Sequence, residues 1–190
     1  GNIGKPLLAD VYGMEPQDWA VLELSSFQLM TMEQSPDIAV ITNLAPNHLD
    51  VHKSMEEYIT AKKNIFTHQG PGGLLVLNAD NDITSGFASE ARGRTTLFSR
   101  RAELEKGVFV KDGAVWVRND MHERPVLYLE NTLLPGEHNV ENYMAAIAAV
   151  WGDVEPETIR QVAAAFNGVE HRAEFVRELH GVKYYNDSIA

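Results

Sequence analysis

The chain has no cysteine. Disulfides and thiolate-held zinc are therefore excluded, and the composition fits the cytosol. Long apolar runs are missing too. Nothing approaches the roughly 20 residues that span a bilayer, and no signal peptide is visible, so no membrane insertion is expected. Positive charge is scarce. Sixteen Lys and Arg against 27 Asp and Glu leave a formal charge of -11, which argues against a general nucleic-acid binder. An anionic small substrate stays compatible, provided that a metal ion and a few local cations supply the positive field. What is present is ordinary for a soluble globular protein: 44% hydrophobic and 23% charged residues over 190 positions, enough for one domain and part of another. Because it opens on Gly1 and breaks off abruptly at Ala190, the chain reads as an excised piece of something longer.

Strand and helix signals alternate. Trp19–Leu24 (WAVLEL), Asp37–Asn43 (DIAVITN) and Leu74–Asn78 (LLVLN) are apolar runs of buried-strand length. Ser26–Glu33 and Ser54–Phe66 lie between them as helical connections. This predicts an α/β fold, a mostly parallel sheet flanked by helices. From Thr95 to Leu134 short strands predict a small antiparallel portion, with Asp112-Gly113 as a hairpin turn. Two helices come next, about Val140–Trp151 and Glu157–Phe166, the second with Pro156 near its start and Gly168 just past its end. EFVREL and GVKYYND then begin a new pattern, placing a domain boundary near 168–172.

Polar residues gather at the C-terminal ends of the expected strands, where open α/β sheets hold ligands. Glu23, Ser25, Ser26 and Gln28 come after the first; Asn47, His48, Asp50 and His52 come after the second. Glu23 and His48 are plausible partners at one metal, with Asp50 or His52 in support, although a surface carboxylate and a solvated loop would read the same way. On the helix SMEEYITAKKNIF, Ser54 and Glu57 form a capping-box pattern, and Met55, Tyr58, Ile59, Ile65 and Phe66 make an apolar stripe. Lys62 completes that stripe, whereas Lys63 points about 100° away. A lysine so placed either snorkels to water or holds a neutral amine. A neutral amine can add carbon dioxide and become a carbamate, in effect an extra carboxylate. Farther on, Asn139 and Asn142 share a helix face and could reach one ligand, or Asn139 could merely cap. Arg172 and Asp187 flank the boundary, either as exposed hinge residues or facing a nucleotide held there.

GNIG, ELSSFQL, ITNLAPNHLDVH, YITAKKNIF, LPGEHNVEN, GVEHRAEFV and NDSIA together resemble the Mur ligases in order and spacing, over almost the whole chain. ELSSFQL resembles in particular the branch that joins D-glutamate to UDP-N-acetylmuramoyl-L-alanine in peptidoglycan synthesis. The resemblance implies the central ATP-binding domain over residues 1–168 and the first strands of a Rossmann-like C-terminal domain over 169–190. It implies a cytoplasmic, monomeric ligase that uses ATP and Mg2+ to phosphorylate a carboxylate, after which an amino acid's amine displaces phosphate. Glu23 and His48 would be magnesium ligands, with His48 and a carbamylated Lys62 at the reacting phosphate. Asn2, Ser25, Ser26 and Gln28 would line the UDP-sugar region. Asn139, Asn142, Arg172 and Asp187 would hold ATP. The family's phosphate-binding GTNGK(S/T)-type loop is not in this chain, so the piece alone is expected to bind ATP poorly and to be inactive. Ile189 stands where the family has lysine. Two further readings share these motifs: a sister ligase for another amino acid, or a non-catalytic nucleotide-binding homologue.

Overall fold

The computed structural model describes residues 7–45, 54–172 and 174–188. Its centre is β2 (Leu74–Asn78), five consecutive buried residues, as an inner strand covered on both faces requires. On one side β2 pairs in parallel with β1 (Ile38–Ile41), and on the other with β3 (Arg94–Ser99). Beyond β3 come β4 (Gly107–Lys111), parallel to it, and then antiparallel β5 (Ala114–Arg118) and β6 (Glu123–Tyr128). The six strands lie in one sheet in chain order. The expected antiparallel portion is therefore an extension of the parallel sheet.

Alternation along β1 and β2 sorts the core into two layers. Ala39, Ile41, Leu75 and Leu77 face Tyr58 and Phe66 of α2 (Met55–Thr67) and Phe87. Leu74 and Val76, with Phe98 and Val108, face Met144, Ala145, Ile147 and Ala148 of α4 (Glu137–Val150). Short α1 (Ser26–Met30) packs on α2, α3 (Asp82–Gly86) comes after β2, and α5 (Pro156–Ala165) packs on β6. Pro156 occupies the first turn of α5, where its missing N–H costs no hydrogen bond.

Trp19–Leu24 is not a strand. It has no sheet partner, and Trp19, Val21 and Leu22 are 57%, 87% and 47% exposed. An apolar run of strand length becomes a strand only where a neighbour completes its hydrogen-bond ladder, and among the described residues β1 pairs with β2 alone. Helix α1 is also shorter than the Ser26–Glu33 stretch expected. The two runs after Gly168 form a separate hairpin, β7 (Glu174–Leu179) and β8 (Val182–Asn186), turning at His180 and Gly181 with φ of 51° and 78°.

Two glycines test this geometry. Gly113 closes the β4–β5 turn with φ of 72° and open space around it. Gly107, with φ of 132°, opens β4 where an added Cβ would lie 2.3 Å from the Leu97 carbonyl oxygen. Gly113→Ala should cost about 1–2 kcal/mol from left-handed strain alone. Gly107→Ala should cost more than about 3 kcal/mol, because strain and collision add. Urea denaturation of the two variants measures the difference.

Candidate functional site

Helix α2 separates its adjacent lysines as the 100° step requires. Ser54 caps the helix, its Oγ accepting from the Glu57 amide at 3.1 Å. Lys63 points toward the short turn of helix at Phe87–Glu90, where its Nζ lies 2.6 Å from Glu90 Oε1 and 5.0 Å from the centre of the Phe87 ring. Lys62 is half-buried beside Tyr58, its Nζ 5.8 Å from the ring centre, and forms no salt bridge among the described residues. Burial holds its amine below the usual lysine range, opposed by the charge of Glu23, which lies near enough to be felt. Glu23 thus lies within electrostatic range of Lys62. As an ammonium, Lys62 would repel a divalent cation. As a carbamate it would add oxygen donors beside the Glu23 carboxylate, the hard donor type that magnesium takes. A half-buried amine of lowered basicity fits that role.

His48, Asp50, His52, Asn47 and Asn2 lie outside the described residues. Among the described residues, no three His, Asp or Glu side chains cluster as a ready metal site. The serines after Glu23 are engaged locally. Ser25 caps α1, its Oγ accepting from the Gln28 amide at 3.3 Å, while Gln28 Oε1 accepts from the Ser25 amide at 2.9 Å. Ser26 is buried at 3% exposure. Ser25 Oγ and Gln28 Oε1 are thus engaged in a capping box that fixes the start of α1 next to Glu23, a set of bonds that does not include Gln28 Nε2.

A second set of residues meets at the start of α4. That helix begins at Glu137, three residues earlier than the expected Val140, because Gly136 turns the chain with φ of 101°. No side chain caps it, so Asn139 lies inside the first turn rather than before it, donating to the Pro135 carbonyl oxygen at 2.7 Å. Between α4 and α5 opens a cavity of about 880 Å³. Asn139, Asn142, Arg172 and Asp187 all line it, with His138 nearby and an apolar wall that includes Ile147, Ile159 and Phe166. Arg172 and Asp187 reach it together because both ends of the β7–β8 hairpin are tied. His171 N donates to Glu174 Oε2 at 3.0 Å, and Asn186 Nδ2 lies 2.8 Å from His171 Nδ1 and 3.3 Å from Glu174 Oε2. An apolar slot edged by amides, with a guanidinium at its mouth, suits a flat heterocycle carrying anionic groups. Lys62 is not part of this cavity.

The residues missed by sequence reasoning are those that set these pieces in place. Asn78 donates to the Thr42 carbonyl oxygen at 3.0 Å; Asn81 donates to Asn43 Oδ1 at 2.7 Å and to the Leu44 carbonyl oxygen at 2.9 Å. Both brace the segment leaving β1. Asp80, between them, accepts from Ser99 Oγ and from the backbone amides of Arg100 and Arg101. A signal for them exists in the sequence: NADN begins at the C-terminal end of β2, where such sheets place polar residues.

Residues 2–150 match the Mur ligase middle domain, and the chain belongs to that family. Over its whole length it is 56% identical to the UDP-N-acetylmuramoylalanine--D-glutamate ligase of Acetivibrio thermocellus and 54% identical to that of Clostridium botulinum. It spans 41% of the length of each. Among solved structures, MurF from Acinetobacter baumannii aligns over 80% of this chain and 34% of its own, at a TM-score of 0.62 and 23% identity, a likeness of fold. A UDP-N-acetylmuramoyl-L-alanyl-D-glutamate--2,6-diaminopimelate ligase structure aligns over 74% of this chain and 30% of its own, with a TM-score of 0.59 and 21% identity.

Lys62 carries a sign-determined prediction for stability. Its folded-state pKa is lowered below the ordinary 10.5, so folding must work against protonation wherever the unfolded chain holds the proton. That penalty is present at neutral pH and vanishes as pH rises through the unfolded value. Lys62→Met should therefore stabilise the fold at pH 7, with a gain that shrinks toward pH 10.5. Paired denaturation curves at the two pH values measure it.

Proposed function

We infer that this chain is the ATP-handling middle portion, residues 1–168, and the start of the C-terminal domain, residues 169–190, of a cytoplasmic ligase. That ligase adds D-glutamate to UDP-N-acetylmuramoyl-L-alanine during peptidoglycan synthesis. The observation that carries this reading is identity at more than half of all positions, along the whole chain, with proteins of that name. The cavity lined by Asn139, Asn142, Arg172 and Asp187, and the half-buried Lys62 within electrostatic range of Glu23, support it. No helix among the described residues is long and apolar enough to cross a membrane, which is compatible with a soluble enzyme.

In this mechanism the substrate carboxylate attacks the γ-phosphorus of ATP, the bond to the β-phosphate oxygen breaks, and ADP leaves. The amine of D-glutamate then attacks the acyl carbon, phosphate departs, and the amine gives up a proton as the amide forms. Catalysis of this kind depends on positioning and on neutralising phosphate charge. Asn139 and Asn142 would hold the edge of the adenine ring against the apolar wall, and Arg172 and Asp187 would take the phosphates and ribose. Glu23, His48 and carbamylated Lys62 would hold magnesium, which when bound supplies the charge neutralisation. Ser25, Ser26, Gln28 and Asn2 are assigned to the UDP-sugar side. For Ser25 this means acting through the capped start of α1, where its Oγ bonds Gln28, while Gln28 holds the cap with Oε1 and keeps Nε2 outside those bonds.

Carbamylation requires a neutral amine. The Lys62 nitrogen attacks carbon dioxide, an N–C bond forms, and one proton is released to solvent. Burial favours the neutral form that reacts.

In the full-length ligase, Lys62→Ala should lower the rate of ADP and amide formation by at least about 100-fold, the scale typical of losing one preorganised charge-stabilising group. A short carboxylic acid added to the assay should restore part of it. Unchanged turnover would contradict the mechanism. Replacing D-glutamate by other amino acids in the same assay separates this reading from a sister ligase, which would prefer one of them.

A further inference from the structure

Helix α4 presents Asn139 and Asn142 from its first two turns, yet residues 137–143 include none that is fully buried. The fully buried side chains of α4 begin at Met144. Nor does any side chain cap the helix at Gly136. Val140 and Tyr143 pack on the core here only partly buried, and a rotation of one residue step would carry both amides out of the cavity, so a further contact on the opposite side of the helix bears on the roll of this end.

Arg100, just past β3, supplies the contact. Its Nη2 lies 2.8 Å from Glu137 Oε2 and its Nε 3.2 Å from Glu141 Oε1. The two glutamates are four residues apart, so they share one side of α4 and the guanidinium spans them like a staple. Asn139 and Asn142 project from the other side. The Arg100 backbone is itself held, since its amide donates to Asp80 Oδ2 at 2.7 Å, while Ser99 Oγ donates to Asp80 Oδ1 at 2.5 Å. A relay thus runs from the end of β2, through Asp80, to the end of β3 and on to α4. Neither Asp80, Arg100, Glu137 nor Glu141 lines the cavity.

We propose that Arg100, anchored by Asp80 and clasping Glu137 and Glu141, is a positioning residue that sets the angle at which α4 offers Asn139 and Asn142 to the nucleotide. This rests on the reading of the cavity as the ATP site. A simple electrostatic role is the rival account, and the two differ in sign at Glu141. Removing that carboxylate leaves the positive Arg100 in place, so charge alone makes anionic nucleotide bind more tightly. Loss of the clasp makes it bind more weakly.

The test is calorimetric titration of the full-length ligase with Mg-ADP, alongside steady-state kinetics. Glu141→Ala should raise the dissociation constant about threefold or more, and Arg100→Gln about five- to tenfold, with Arg100→Lys in between because an ammonium cannot span both carboxylates. KM for ATP should rise in parallel, while KM for D-glutamate and kcat at saturating ATP stay within about twofold, a split that general loosening of the fold does not produce. Should Arg100→Gln fail to fold, Glu141→Ala carries the test alone. Tighter ADP binding by Glu141→Ala, or binding unchanged in both variants, overturns the proposal while leaving the functional reading intact. Absence of ADP binding by the unsubstituted ligase overturns the functional reading and the proposal with it.

Discussion

Everything in this molecule depends on the parallel register of three strands. Ile41 lies beside Leu77, and Asn78 beside Phe98, so β1, β2 and β3 end nearly level. Level ends place three backbone exits side by side at one edge of the sheet, and a single short turn can bond to both neighbours. The turn after β2 does this, with Asn78 and Asn81 reaching the β1 exit and Asp80 reaching the β3 exit. A slip of one residue would exchange the Leu75 and Leu77 layer for the Leu74 and Val76 layer, and two different helices would lose their packing. Register and site geometry are therefore one constraint.

Under the proposed mechanism, Lys62 shows the cost of building chemistry into such a scaffold. Its helix could have been more stable with an apolar residue on the half-buried stripe, next to Tyr58 and away from competing ion pairs. Lys63, one step around the helix, illustrates the ordinary alternative: a cation paired with Glu90 and resting on Phe87. Identical side chains on adjacent residues end in different electrostatic situations because only Lys63 has a carboxylate, Glu90, within ion-pair distance among the described residues. A burial that lowers basicity is unfavourable for folding and favours the neutral amine that the proposed carbamate would need.

Legibility from sequence tracks the range of the determining interaction. β2 is readable residue for residue, and α2 within one, because a continuous apolar run or a cap with an apolar stripe is local information. The Asp112-Gly113 turn is equally plain. Trp19–Leu24 misleads because hydrophobicity records a preference for burial, not the presence of a partner strand. The start of α4 is misplaced by a search for a capping side chain, whereas Gly136 starts the helix through its backbone angle. At the site, motif resemblance names Asn139, Asn142, Arg172 and Asp187, and folding gathers them in one cavity. Arg100 is invisible, since its partners Glu137 and Glu141 lie some 40 positions away and no local pattern marks the connection.

The central claim is that Lys62 works as a carboxylate rather than as a cation. The most direct measurement is carbon-13 NMR of the full-length ligase equilibrated with labelled bicarbonate, compared with Lys62→Arg. The account predicts a protein-bound carbamate signal in the unsubstituted enzyme that disappears in the variant. No such signal, or one that persists when Lys62 is replaced, would contradict it.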